Sequence, residues 1–236
     1  FTAYQEFQSM LTRDRIDIFM VGEFDDYQVL QALHRFPLEG RQVDLQFSYS
    51  QPYVNVVKEK IEPRQSSQSI LQLGYQFPCQ YGDKDYFALI VFNAMFGEFA
   101  HSALFTTLRE KEGLAYSISS QFDIFTGLLE VYAGIEKSNR NQAMRGISRE
   151  LNYIKLGRFS SSLLNQTKKI IRMNALLSED HALTLVEQRF NKVIFGDKSL
   201  SLENWLDEIE KVTKKDVCRL ARQVKLQSLF FLEGVS

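Results

Sequence analysis

The sequence predicts an α+β domain with its helices packed on one face of a sheet. Three observations carry that prediction. Period-two apolar alternation stands at residues 66–77 and again in two adjoining stretches, 114–125 and 128–135. Helical apolar spacing fills residues 86–112 and 141–223, and a last apolar strand stands at 229–232. The resulting order is strand, helices, hairpin, helices, strand, which differs from the regular alternation of a parallel α/β sheet.

Taken in order, residues 2–11 read as a short helix and residues 15–21 as a strand ending at Gly22. Asp25 or Asp26 can cap the next helix, whose Val29, Leu30, Leu33 and Phe36 recur at helical spacing until Pro37 forbids continuation. Residues 38–63 read as a linker with a short extended piece at 54–57. Residues 66–77 are a strand, with Leu71, Leu73, Tyr75 and Phe77 on one face. Asp83 or Asp85 caps a helix over 86–96 whose nearly continuous apolar surface predicts burial on several sides. A second helix, 102–112, ends at Gly113, and Thr126-Gly127 turns the hairpin that follows. Ile147, Leu151 and Ile154 stripe the helix 141–156, closed by Gly157. A long helical region from about 160 to 193 breaks near 178–180; Trp205, Leu206 and Ile209 mark a short helix, and Thr213 caps the helix 214–223 before the final strand.

Composition narrows the function classes. With 28 basic and 29 acidic residues the net charge is −1, so the broad cationic face expected of a nucleic-acid or anionic-membrane binder is missing. The 44% hydrophobic content excludes a disordered chain, and 236 residues can bury roughly 70% of their extended surface. Only Cys79 and Cys218 are present, too few for a disulfide scaffold or a cysteine-based zinc cluster, which fits a cytoplasmic location. No apolar run approaches the roughly 20 residues of a membrane-spanning helix. Residues 1–10 carry neither the basic nor the apolar part of a signal peptide, and there is no initiator methionine, as in a processed or cut piece of something longer.

One internal similarity stands out. Residues 213–234, TKKDVCRLARQVKLQSLFFLEG, parallel residues 2–23, TAYQEFQSMLTRDRIDIFMVGE, as helix, polar turn, four-residue apolar strand and glycine ending. A true repeat at that period would make the chain the tail of one domain followed by a complete second copy.

The residues do not assemble a self-contained active site. His34, His101 and His181 are the only histidines, none has another three or four residues away, and neither HExxH nor HxxEH occurs. His181 and Glu187, six apart, fall on different helix faces. There is no G-x-S-x-G elbow, P-loop or G-x-G-x-x-G. Cys79, beside Pro78, reads as a small buried filler rather than a reactive thiol. The most unusual stretch is LREKEGLAYS, residues 108–117, where Arg109 falls near a helix end and Tyr116 begins the next strand. A turn at Gly113 could bring both to one end of the sheet, the arginine clamping a carbonyl or carboxylate and the tyrosine stabilising an oxyanion. Without further knowledge the plainer arrangement is favoured, in which Arg109 pairs with a nearby glutamate and Tyr116 packs.

Residues 96–120, FGEFAHSALFTTLREKEGLAYSISS, resemble the second-half signature of the M16 metallopeptidases, the relatives of mitochondrial processing peptidase, insulin-degrading enzyme and pitrilysin. DIFMVGEFD, residues 17–25, resembles the closing strand of the family's first domain. The resemblance covers the whole chain and is strongest to the bacterial inactive-subunit subgroup of YmfF-like proteins. It implies a LuxS/mitochondrial-processing-peptidase-like metallohydrolase fold with a mixed sheet. It also implies a division into residues 1–50 as the tail of a first domain and the start of a linker, 51–65 as linker, and 66–236 as a second, inactive domain.

By that resemblance the chain holds no cofactor, and zinc belongs to a partner: an HxxEH-bearing, YmfH-like subunit with which it would form a heterodimer around a peptide. Arg109 and Tyr116 match the arginine and tyrosine that reach across to substrate in active members. Many relatives carry a glycine-rich loop where this chain has Phe96, Gly97, Glu98 and Phe99, so a more occupied and more polar loop is expected around Gly97 and Glu98. The expectation is a noncatalytic half of a zinc peptidase homologue; the alternative is a scaffold or protein-interaction module with no part in proteolysis. An isolated fragment could also form a homodimer through the surface its missing domain would cover.

Overall fold

The computed structural model describes residues 2–36 and 55–235. The described residues divide into two compact units, residues 2–36 with 177–199 and residues 55–176 with 200–235.

The larger unit is built on a five-stranded sheet. Its strands are β1 (Lys58–Gln65), β2 (Ser69–Gln76), β3 (Ala115–Asp123), β4 (Leu128–Ile135) and β5 (Lys225–Val235), in the order β1-β5-β2-β4-β3. β1 runs parallel to β5 and every other pairing is antiparallel, so the sheet is mixed. The predicted hairpin is β3–β4, and Gly127 turns it at φ 68°.

Alternation places Leu71, Leu73 and Tyr75 of β2, Leu129, Val131 and Ala133 of β4, and Leu229 and Phe231 of β5 on one buried face. Against it lies α3 (Tyr86–Asn93), buried at Ala88, Leu89, Val91, Phe92 and Asn93. Packed around it are α4 (Arg140–Lys155), α7 (Leu202–Lys211) and α8 (Lys214–Gln223); α5 (Ser161–Leu177) adds Leu164 and Ile171 to the core. Removing each large apolar side chain from water contributes about 1.5–3 kcal/mol, so this single core holds the unit together. On the other sheet face Ile70, Gln72 and Phe230 are only half-buried.

Polar contacts fix how the helices meet. Asp85 holds the N-cap position of α3, but its side chain makes no cap bond; its carboxylate accepts from Arg219 of α8 at 2.6 Å instead. Asp83 accepts from the Gln80 amide at 2.8 Å. Arg222 donates to the Lys155 carbonyl at the end of α4, and Lys155 Nζ to the Val224 carbonyl at the end of α8, a reciprocal exchange between two negative helix termini. Lys168 does the same for α7, donating to the Glu210 carbonyl at 2.7 Å. Gly113 and Gly157 end their helices at φ 61° and 67°.

The smaller unit holds α1 (Thr2–Arg13), α2 (Asp26–Leu33) and α6 (Ala182–Phe195). Asp25 is the cap of α2, accepting from the amides of Tyr27 and Gln28. Phe19 meets Phe190 edge-on with centroids 6.2 Å apart. None of the three helices has a fully buried residue.

Three expectations need correction. Residues 58–65 are not linker: they form β1, paired with β5 from Lys58↔Ser228 to Gln65↔Val235. KEKIEPRQ is an edge strand exposed on both faces, so it lacks apolar alternation and tolerates Pro63, and only its partner makes it a strand. Of the rest of the expected linker, residues 37–54 lie outside the described residues, and 55–57 lead into β1 without forming a strand. Residues 15–21 form no strand either, because no neighbour pairs with them among the described residues. The internal similarity therefore holds for the helices α1 and α8 but not for the strands that follow. Finally, β5 runs well beyond the predicted 229–232, since its central position pairs it on both sides.

Candidate functional site

The site grows out of two departures from α-helical geometry. After Asn93 the coil of α3 widens into a π-helical turn, Ala94–Glu98, and a second π-helical stretch spans Phe105–Lys111. Such widened turns are rare and frequent at functional sites. Residues 96–98 thus lie in the first of these turns and not in the predicted loop. Phe96 is fully buried and stacks on Phe92 at 5.4 Å, while Phe99 stacks on His101 at 5.6 Å, so the phenylalanines serve packing.

Gly97 is a contact glycine. A Cβ there would lie 2.6 Å from Ser120 Oγ and 2.7 Å from Ser120 N, so only glycine lets the π-turn touch β3 this closely. Buried Ser120 in turn donates to Asn93 Oδ1 at 2.7 Å, and Asn93 Nδ2 donates to Glu98 Oε2 at 2.9 Å. This chain joins strand, helix and π-turn. Burial pushes the Glu98 carboxyl above the ordinary carboxylate range, and the Asn93 bond partly opposes that.

Arg109 rides on the second π-helical stretch, which packs against β3. Its guanidinium lies over the Phe105 ring, 4.6 Å from the centroid, and it makes no ion pair among the described residues. The expected pairing with a nearby glutamate is not seen among the described residues, and of those glutamates Glu112 is held by Arg149 at 2.5 Å. Tyr116 does not pack; it is 57% exposed. The β3–β4 register shifts between Ala115 and Ser117, which makes Tyr116 the extra residue of a bulge. Its hydroxyl donates to Glu136 Oε1 at 2.7 Å, and this bond pushes the phenol above its ordinary pKa. Arg109 and Tyr116 therefore sit on adjoining elements with separate partners, both exposed.

The remaining candidates are structural. Cys79 is buried, and burial with Asp83 and Asp85 nearby pushes its thiol up to about 12, far from a reactive thiolate. His101 bonds Thr167 Oγ1 at 2.9 Å; since that hydroxyl donates to the Leu163 carbonyl, His101 Nε2 carries the proton. Burial lowers the pKa of His101. His34 and His181 stand at the C-cap of α2 and the N-cap of α6. Among the described residues no three His, Cys, Asp or Glu side chains gather as a metal site, and no helix is long and apolar enough to cross a membrane. The sequence reading missed Glu136, Asn93 and Ser120. Asn93 and Ser120 are 27 residues apart and carry no local signal; Glu136 directly follows an apolar strand, and nothing local distinguishes it from a surface charge.

A mixed sheet with helices on one face thus carries a π-turn pressed on the hairpin, and among the described residues no metal-binding cluster is formed. The chain belongs to the peptidase M16 inactive domain family, whose model matches residues 4–171. It is 35% identical over 232 residues to the probable inactive metalloprotease YmfF of Bacillus subtilis, covering 98% of this chain and 54% of that protein. The crystal structure of a conserved protein from Enterococcus faecalis superposes with a TM-score of 0.88 at 38% identity, over 98% of this chain and 55% of that one. That of a peptidase M16 inactive domain from Pseudomonas fluorescens gives 0.68 at 18% identity, over 89% and 51%, a likeness of fold. The chain spans about half the length of these relatives. It is a noncatalytic peptidase-like domain.

Proposed function

We propose that this domain is the noncatalytic part of a composite zinc peptidase, pairing with an HxxEH-bearing M16 subunit of the YmfH-like kind and presenting Arg109 and Tyr116 to an enclosed peptide. Zinc would reside in that partner only, and the two free, buried cysteines, Cys79 and Cys218, are in keeping with a cytoplasmic setting. The observation that carries the reading is that Arg109, exposed and without an ion pair among the described residues, and the bulge-displaced Tyr116 stand on adjoining elements. A guanidinium without a carboxylate partner retains its full capacity to hold a peptide carbonyl or carboxylate. A bulge commonly re-aims a side chain toward a ligand.

The scaffold reading draws support from the same tyrosine, whose only proton already goes to Glu136. A native pull-down with the full-length protein separates the two. Capture of an HxxEH-bearing chain, with chelator-sensitive peptide hydrolysis that drops on Arg109→Ala, supports the composite peptidase. Hydrolysis unchanged by that substitution, or no such chain captured, supports the scaffold.

A further inference from the structure

We infer that Glu136 is a positioning residue for Tyr116, fixing the ring in the orientation in which it meets a peptide. The inference rests on the reading of Tyr116 as a peptide contact. Tyr116 is the unpaired residue of the β3 bulge, so no cross-strand neighbour sets its side-chain angle, and at 57% exposure little packing does. The 2.7 Å bond to Glu136 is the polar contact that holds the ring.

Glu136 is itself well anchored. It follows Ile135, the fully buried last residue of β4, which pairs with Ala115 on one side and Ser69 on the other. Its own backbone is extended at φ −73°, ψ 146°, leading into a short 3-10 turn, Lys137–Asn139. Lys137 is tied to Glu233 of β5 at 3.2 Å. The carboxylate thus projects from a point fixed by three strands, while the tyrosine it holds projects from the bulge across the hairpin. Because the phenol donates, its oxygen keeps lone pairs for a peptide N–H, and the carboxylate adds a second acceptor beside it. The pair as found accepts hydrogen bonds from the peptide backbone or from a basic side chain.

The test follows the Tyr116 ring directly in the full-length protein labelled with 13C at tyrosine Cζ, its signal assigned by Tyr116→Phe. Glu136→Ala is expected to bring the Tyr116 titration down toward that of an ordinary tyrosine, leave the melting temperature unchanged, and weaken binding of fluorescein-labelled β-casein, an unfolded probe, roughly 3- to 10-fold. Glu136→Gln, which keeps an acceptor oxygen, is expected to restore most of the binding. A Tyr116 titration unaffected by Glu136→Ala overturns the positioning role whatever the function. A titration that shifts while β-casein binds equally well to Tyr116→Phe and to the parent protein sinks the peptide-contact reading and with it the positioning for peptide. Failure of Glu136→Gln to restore binding assigns the effect to charge and likewise overturns the proposal.

Discussion

Gly97 of the π-turn meets Ser120 of β3 so closely that a single added methyl group would sit 2.6 Å from the serine oxygen and 2.7 Å from its amide nitrogen. One of those two atoms belongs to backbone held in the β3–β4 ladder, so it cannot swing aside. Gly97→Ala is therefore expected to destabilise the fold by about 1–3 kcal/mol, the usual range for overpacking. Thermal unfolding followed by circular dichroism should show a drop of roughly 2–10 °C for a chain of this length. An unchanged melting temperature would mean that the π-turn does not press on β3.

The Ser120–Asn93–Glu98 chain gives a signed pH dependence. The Glu98 carboxyl has its folded pKa raised by burial, so its contribution to stability is full below the ordinary carboxylate pKa and is lost as pH rises through the folded value. At neutral pH the ionised form is the less stable one. Glu98→Gln keeps an oxygen for the Asn93 amide while removing the charge, and should raise the urea midpoint at pH 7. The gain should shrink to nothing below about pH 4, where Glu98 is protonated in both states. A gain that persists at acid pH would assign the effect to packing.

How much of this was legible beforehand differs from residue to residue. The helix caps at Asp25 and Thr213, the glycine stops at Gly113 and Gly157 and the hairpin turn at Gly127 all follow from local backbone chemistry, and local sequence carries them. β1 was invisible because an exposed edge strand needs no apolar face; its identity lies in β5, more than 160 residues away. The first π-turn was unreadable for a related reason: the close approach of Gly97 to Ser120 that accompanies it is a contact between distant segments and leaves no mark on the apolar spacing. Arg109 and Tyr116 are legible as candidates from their places at a helix end and a strand start, whereas Glu136 gains its place beside Tyr116 through a register shift in the hairpin.

For the proposed contacts, function and stability should separate. Arg109 is exposed and its guanidinium lies over the Phe105 ring of its own helix, so Arg109→Ala should change stability by no more than about 1 kcal/mol, the scale of an exposed cation–π contact. A charge-assisted hydrogen bond to peptide contributes about 1.5–3 kcal/mol, so the same substitution should lower peptide hydrolysis by the assembled complex roughly 10- to 100-fold. Co-purification with the partner should be unaffected. Parallel loss of assembly and activity would instead place Arg109 in the subunit interface.

The last expectation concerns α8, whose N-terminus organises the helical layer. Thr213 accepts from the Asp216 amide while Asp216 accepts from the Thr213 amide, closing a capping box, and Asp216 also pairs with Arg219 at 2.8 Å. Arg219 extends the chain of contacts to Asp85 at the start of α3. These bonds, led by those from Thr213, hold the Asp216 carboxyl below its usual range despite the opposing effect of burial. A depressed folded pKa contributes stability that is present at neutral pH and lost as pH falls through that value. Thr213→Ala removes the cap and should cost about 1 kcal/mol at pH 7, a fall of roughly 2–4 °C in melting temperature. The deficit should narrow in acid, where Asp216 is protonated with or without its threonine. A deficit that does not narrow in acid would show that partners other than Thr213 hold the Asp216 carboxyl down.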